Sequence, residues 1–246
     1  MRLLFTSILL LLTINVVAKD SFCNKEESLL KKALKQLNLK EEQIHSELYV
    51  EKVLPYSKEH SVLVIPKIIS IEGSIDNNQS FDLDAYILIV ENNSGKIINK
   101  YFEPEAWISD AVMLSSIEID TAPYLLQTNK RAFGIVVNYV GSSRPNPYDR
   151  SDLTLYVTDG SSLKPVLKNY LLAESRGEWD TNCAGDFEGM TSVLLIDKQK
   201  SNDWYTIIVK QTITKTKNFI VDDNCESKEV QKIKKLVLKF NNKEYK

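Results

Sequence analysis

From residue 48 onward the chain consists of short runs with β periodicity, each closed by turn-forming residues. This pattern restricts the fold more than any other feature of the sequence. Phe81-Asp82-Leu83-Asp84-Ala85 alternates apolar and polar side chains, as a strand with one buried face does. Val62 to Ile65 and Tyr86 to Val90 are apolar at every position, which calls for strands covered on both faces. Asn92-Asn93-Ser94-Gly95, Gly141 to Pro147 and Asp159-Gly160-Ser161-Ser162 supply the breaks. Strands are predicted over 48–53, 61–71, 81–91, 96–102, 111–119, 132–140, 153–158, 164–172, 191–197, 204–214 and 236–240. Hairpins are expected over 86–100, 153–171 and 193–213. Their starts are unevenly spaced, which argues against a propeller or solenoid built on a fixed repeat.

The segment before residue 48 reads differently. Leu29, Leu30, Ala33, Leu34 and Leu37 recur at helical spacing opposite Lys31, Lys32 and Lys35. Asn24 followed by Glu27 resembles a capping box, so one amphipathic helix is predicted over about 25–38. Its apolar stripe is read as core packing, with a membrane-surface helix as the alternative. The expected fold class is therefore mainly β: an antiparallel β-sandwich or open β-meander with one N-terminal amphipathic helix. No linker or low-complexity stretch divides residues 19–246, so a single β-rich domain is expected there.

Residues 1–18 read as a secretory signal peptide. Arg2 supplies a positive start, the run over 3–14 is nearly all apolar, and Val16-Val17-Ala18 offers a cleavage site before charge begins at Lys19. The apolar run is shorter than the roughly 20 residues a transmembrane helix needs, so no transmembrane anchor is expected. Asp20-Ser21-Phe22 ahead of Cys23 does not resemble a bacterial lipobox. The expected location is therefore periplasmic or extracellular. Cys23, Cys183 and Cys225 all follow the cleavage site, and an oxidising destination favours a disulfide. Cys183 with Cys225 is the expected pair, because the hairpin predicted over 193–213 would bring the segments beyond its two ends together. Cys23 is left outside that bond.

A net charge of −2 gives no global basic field, so nucleic acid is not an expected partner. The sequence has two histidines, His45 and His60, and lacks the H-E-x-x-H zinc motif, the G-x-S-x-G nucleophile elbow and a phosphate-cradling glycine loop. A serine triad around either histidine would have to be assembled by the fold. No cofactor is expected, with calcium as the alternative.

Two segments carry the functional reading. The first, Gly141-Ser142-Ser143-Arg144-Pro145-Asn146-Pro147-Tyr148-Asp149-Arg150, is stiffened by two prolines, which lowers the ordering cost of binding. Arg and Tyr are also the side chains enriched at binding hot spots. Arg144, Asn146, Tyr148 and Arg150 are thus the expected binding residues for a protein partner. The bland alternative is a connection whose arginines pair with nearby acids such as Asp149.

The second is the acid-rich stretch from Glu174 to Gly189. Asp180, Asp186 and Glu188 are a weak calcium candidate. Against an EF-hand loop starting at Asp180, Ala184 fails at the fifth position and Thr191 at the twelfth. A carboxylate pair beside Trp179, as glycoside hydrolysis uses, is the other functional reading, and a solvated loop whose Trp packs under the disulfide is the bland one. The lysine-rich C-terminus, 228–246, reads as edge protection, with contact to an anionic surface as the alternative. Taken together, the sequence favours an exported, non-enzymatic β-rich binding or inhibitory protein, for instance one that neutralises a toxin or hydrolase in the cell envelope. A secreted hydrolase acting on glycans through acids near Trp179 is the competing reading.

Overall fold

The computed structural model describes residues 27–73 and 79–246. The signal-peptide reading of 1–18, Cys23 and the capping Asn24 lie outside the described residues. The helix α1 spans Leu29–Leu37 and is capped by Ser28, whose hydroxyl accepts from Lys31 N. It is thus shorter than the predicted 25–38. A serine directly before the first leucine is a sufficient cap on its own. Asn38, in the left-handed region at φ 55°, ends it.

Two short 3-10 turns, Glu41–Gln43 and Ser46–Leu48, lead into the strands: β1 Val50–Leu54, β2 Ser57–Glu72, β3 Ser80–Glu91, β4 Ile97–Ser109, β5 Val112–Gln127 and β6 Lys130–Gly141. Next come β7 Tyr148–Asp159, β8 Ser162–Trp179, β9 Gly185–Ser201, β10 Trp204–Val221 and β11 Asn224–Leu238. Neighbouring strands run in the order β1-β2-β3-β4-β8-β7-β6-β5, and all but one of the pairings are antiparallel. The exception is β4 with β8, parallel through Lys100 and Ser162 and reinforced by Asn99 Nδ2 donating to Gly160 O at 2.7 Å. Farther along, β8 pairs with β9, which continues to β10 and β11. Among the described residues the fold is mainly β with one α-helix near the N-terminus, and the three expected hairpins correspond to β3–β4, β7–β8 and β9–β10.

The two-faced apolar runs explain how these strands stack. In β2 and β3, Val62, Val64, Ile87 and Ile89 turn toward a central core, while Leu63, Ile65, Leu88 and Val90 turn outward beneath Ala33 and Leu34 of α1. The stripe of α1 is thereby core packing. In β6, Phe133, Ile135 and Val137 face the central core, whereas Ala132 and Val136 face a second core shared with β7, β8 and β10. Gly134 keeps the second face clear, because a Cβ there would lie 2.7 Å from Leu153 Cδ1. In β5, irregular pairing around Pro123 turns the strand over, so Ile117 and Ile119 serve the first core and Tyr124 and Leu126 the second. Pro123 is tolerated because β5 pairs only with β6.

The second core is closed by the chain end. Phe240 stacks on Trp204 at 4.1 Å, and Tyr245 donates its N–H to Val166 O and its hydroxyl to Tyr205 O. Strand β11 pairs only with β10 and is exposed along almost its whole length. Its unpaired edge carries Lys228, Lys232, Lys234 and Lys235, which oppose strand addition. Among the described residues, no helix is long and apolar enough to cross a membrane.

Candidate functional site

The two segments singled out in the sequence are neighbours. The connection after Gly141 runs along the end of β8 rather than looping free. Gly177 N donates to Pro147 O at 3.1 Å, and Trp179 N donates to Pro145 O at 3.0 Å. Proline offers no N–H but keeps its carbonyl, and the carbonyls are what these contacts use. The Trp179 indole Nε1–H adds a third bond, to Arg144 O at 2.7 Å. Asn146 N donates to Ser143 Oγ at 3.2 Å and closes the turn itself.

This fastening divides the four expected binding residues. Arg144 and Asn146 are exposed, and the Arg144 guanidinium makes no hydrogen bond or ion pair among the described residues. Tyr148 is half-buried and donates its hydroxyl to Glu174 Oε1 at 3.1 Å, across the β7–β8 ladder. Burial first, and Glu174 second, push its phenol above the usual range. Arg150 Nε donates to both carboxylate oxygens of Asp152, at 3.0 and 2.9 Å. The arginine–acid pairing weighed for this stretch therefore involves Arg150 with Asp152, two residues along the strand, rather than Asp149.

Replacing Trp179 by Phe removes the indole donor while keeping an aromatic ring, though a smaller one, beside Phe187. The expected cost is about 1 kcal/mol of local stability, the ordinary net worth of one hydrogen bond. Limited proteolysis should then cut within 142–147 faster, while the global unfolding midpoint moves little. Cleavage at the wild-type rate would show that the backbone ladder alone holds the loop.

Tyr139, opposite Arg150 in the β6–β7 register, has its phenol pushed up to about 12, by burial first and by Asp152 second. The sign follows from linkage. An unfolded tyrosine ionises near pH 10, so the stabilisation is complete below pH 10 and disappears as pH rises through the folded value. Allowing for partial exposure, about 1–2 kcal/mol should be lost between pH 10 and 12. Denaturant midpoints measured at both ends of that window should differ less for Tyr139→Phe than for the wild type.

The acid-rich segment is also largely structural. Asp180 Oδ1 accepts from Asn182 N at 2.9 Å and Cys183 N at 2.7 Å, and these N–H groups hold its carboxyl below the usual range. Asp180 thus shapes the β8–β9 turn, in which Thr181 has φ 63°. Cys183 and Cys225 sit at disulfide distance, with Cα atoms 5.7 Å apart, and tie this turn to the start of β11 around the end of β10. The sequence placed the pair beyond the ends of one hairpin; the fold places Cys225 on a third strand instead.

Asp186 and Glu188 lie on β9 beside a groove of about 490 Å³ that also holds Glu178, Lys215, Lys217 and Lys228. Glu188 is paired to Lys215 at 3.2 Å and to Arg176 at 3.7 Å. Among the described residues no group of three or more His, Cys, Asp or Glu surrounds a common cation position, so Asp180, Asp186 and Glu188 are not brought together. Trp179 packs against Phe187 at 6.3 Å, and the Phe187 ring covers Gly177, whose Cβ would fall 2.3 Å from Cδ1.

The two histidines sit elsewhere. His45 is tilted against Phe81 at 4.6 Å. His60 Nδ1 lies 2.8 Å from Ser57 Oγ, a contact the sequence did not signal because turn geometry decides it. Ser57 Oγ also lies 2.7 Å from Glu59 Oε1, and His60 Nδ1 lies 3.4 Å from the same carboxylate oxygen, so the contact is shared among three polar groups of one turn. No family model, curated protein or solved structure matches the chain.

Proposed function

We propose that the protein is exported and acts by binding a partner protein through the connection between β6 and β7, with Arg144 and Asn146 as the contacting side chains. The observation that carries this reading is the loop's anchoring. Three hydrogen bonds from Gly177 and Trp179 fix its backbone, while the Arg144 guanidinium is exposed and has no acceptor among the described residues. A fixed backbone with an unspent planar donor loses little entropy on docking. The acceptors it suits are carboxylates on the partner's surface. Tyr148 and Arg150 support the loop from beneath through Glu174 and Asp152. Export is supported by the secretory pattern of 1–18 together with the Cys183–Cys225 pair, which suits an oxidising compartment.

The glycan-hydrolase reading has less support from the same geometry. Glu178 and Asp186 are exposed, and an acid catalyst needs burial to hold its proton near neutral pH. The test is affinity capture from the envelope and secreted fractions of the source organism, followed by titration of the captured protein. Arg144→Ala should weaken binding roughly thirtyfold, about 2 kcal/mol, at an unchanged melting temperature. Equal binding by Arg144→Ala and Asn146→Ala would reduce the loop to a connection.

A further inference from the structure

At the far end of β6, roughly 40 Å along the strand from Arg144, a cavity of about 330 Å³ opens between the β1–β2 turn and the start of β6. Its walls are apolar and buried: Leu54 at 3%, Ile89 at 6% and Phe133 at 1% exposure. Its mouth is polar. Arg131 lines it with the guanidinium stacked 4.1 Å above the Tyr56 ring, and Nη2 donates to Thr121 O at 3.2 Å. Among the described residues the Arg131 Nε–H has no acceptor, and it is shut off from solvent, so what the cavity offers a ligand is the guanidinium's charge rather than this donor. His60 completes the mouth, with Nδ1 already committed to Ser57 Oγ.

We propose that this cavity binds a small monocarboxylate with an apolar tail, its carboxylate on Arg131 and its tail against Leu54, Ile89 and Phe133. The class follows from the charge and shape of the lining. Arg131 is the one permanently charged residue among those that line the cavity, which balances one negative charge and not the two of a phosphate monoester. The buried walls favour a hydrocarbon body, and the volume lies at the lower end of the range of about 300–1,000 Å³ that small-molecule sites occupy.

The experiment titrates the purified protein with sodium octanoate, 1-octanol and inorganic phosphate, reading calorimetry together with amide shifts in a ¹H–¹⁵N spectrum. Octanoate should bind saturably, shift the amides of Leu54, Arg131 and Phe133, and bind at least tenfold more tightly than octanol. Phosphate should leave those amides in place. Arg131→Gln should weaken octanoate at least tenfold while octanol is unaffected. Should that variant fail to fold, the octanoate–octanol comparison on the wild type decides. Octanol binding as tightly as octanoate, or octanoate leaving these amides unmoved, overturns the proposal.

Discussion

Replacing Phe133 by alanine should lower the unfolding free energy by about 3–5 kcal/mol, the usual cost of deleting a fully buried aromatic ring. Phe133 is 1% exposed and stacks on Tyr156 with ring centroids 5.8 Å apart. The backbone of β6 divides the two large cores, so the void opens in a sheet that both cores share and neither can relax alone. Denaturant unfolding followed by circular dichroism should show one transition, shifted as a whole. A cost under 1 kcal/mol, or a split into two transitions, would mean that the cores on either side of β6 are not energetically joined.

Breaking the Cys183–Cys225 link, by reduction or by the double serine variant, should cost about 4 kcal/mol in the chain-entropy picture. The two cysteines are 42 residues apart in the chain, so the reduced unfolded state regains a long loop. The loss should be uneven across the molecule. The half of β10 and β11 beyond Val209 buries little apolar surface, so its ladder depends on the anchored turn more than the cores do. Hydrogen exchange should therefore quicken first at 211–221 and 225–235, while 62–65 and 86–90 stay protected. Equal stability of the oxidised and reduced forms would show that this end of the molecule holds without the bond.

The parts of the fold legible in the sequence are those where apolar periodicity has a single cause. The runs Val62 to Ile65 and Tyr86 to Val90 announce strands covered on both faces, and each lies between two packed layers. Strand ends were harder to read. β8 runs to Trp179 and β9 starts at Gly185, whereas periodicity ends near 172 and begins near 191. The missing stretches are held by ladder bonds above solvent, so polar residues suffice there and alternation gives no signal. For the same reason β7 starts at Tyr148, with the proline-bearing connection pairing ahead of it, although apolar alternation begins only at Leu153. The helix start was misplaced because Asn24 and Ser28 are both competent caps, and local sequence does not rank them.

In the candidate site, residue types singled out the segment but not the partners of each side chain. Glu174, which takes the hydroxyl of Tyr148, and Asp152, which holds Arg150, are ordinary acids in the sequence. Only the β7–β8 register, which places Glu174 diagonal to Tyr148, and the pleat of β7, which puts Asp152 on the same face as Arg150, bring them to these donors. The cavity at Arg131 left no trace at all. Its walls come from six separate strands and their turns, and no short motif records such a meeting.

The most direct test of the recognition surface is site-specific photocrosslinking in the source organism. A benzoylphenylalanine is placed either at Asn146, on the fastened connection, or at Thr128, in the β5–β6 turn at the opposite end of β6; both positions are exposed. The account predicts a discrete covalent adduct with another protein from position 146, lost when Arg144→Ala is added, and none from position 128. An adduct from position 128 alone, or one from 146 that survives Arg144→Ala at full yield, would contradict it.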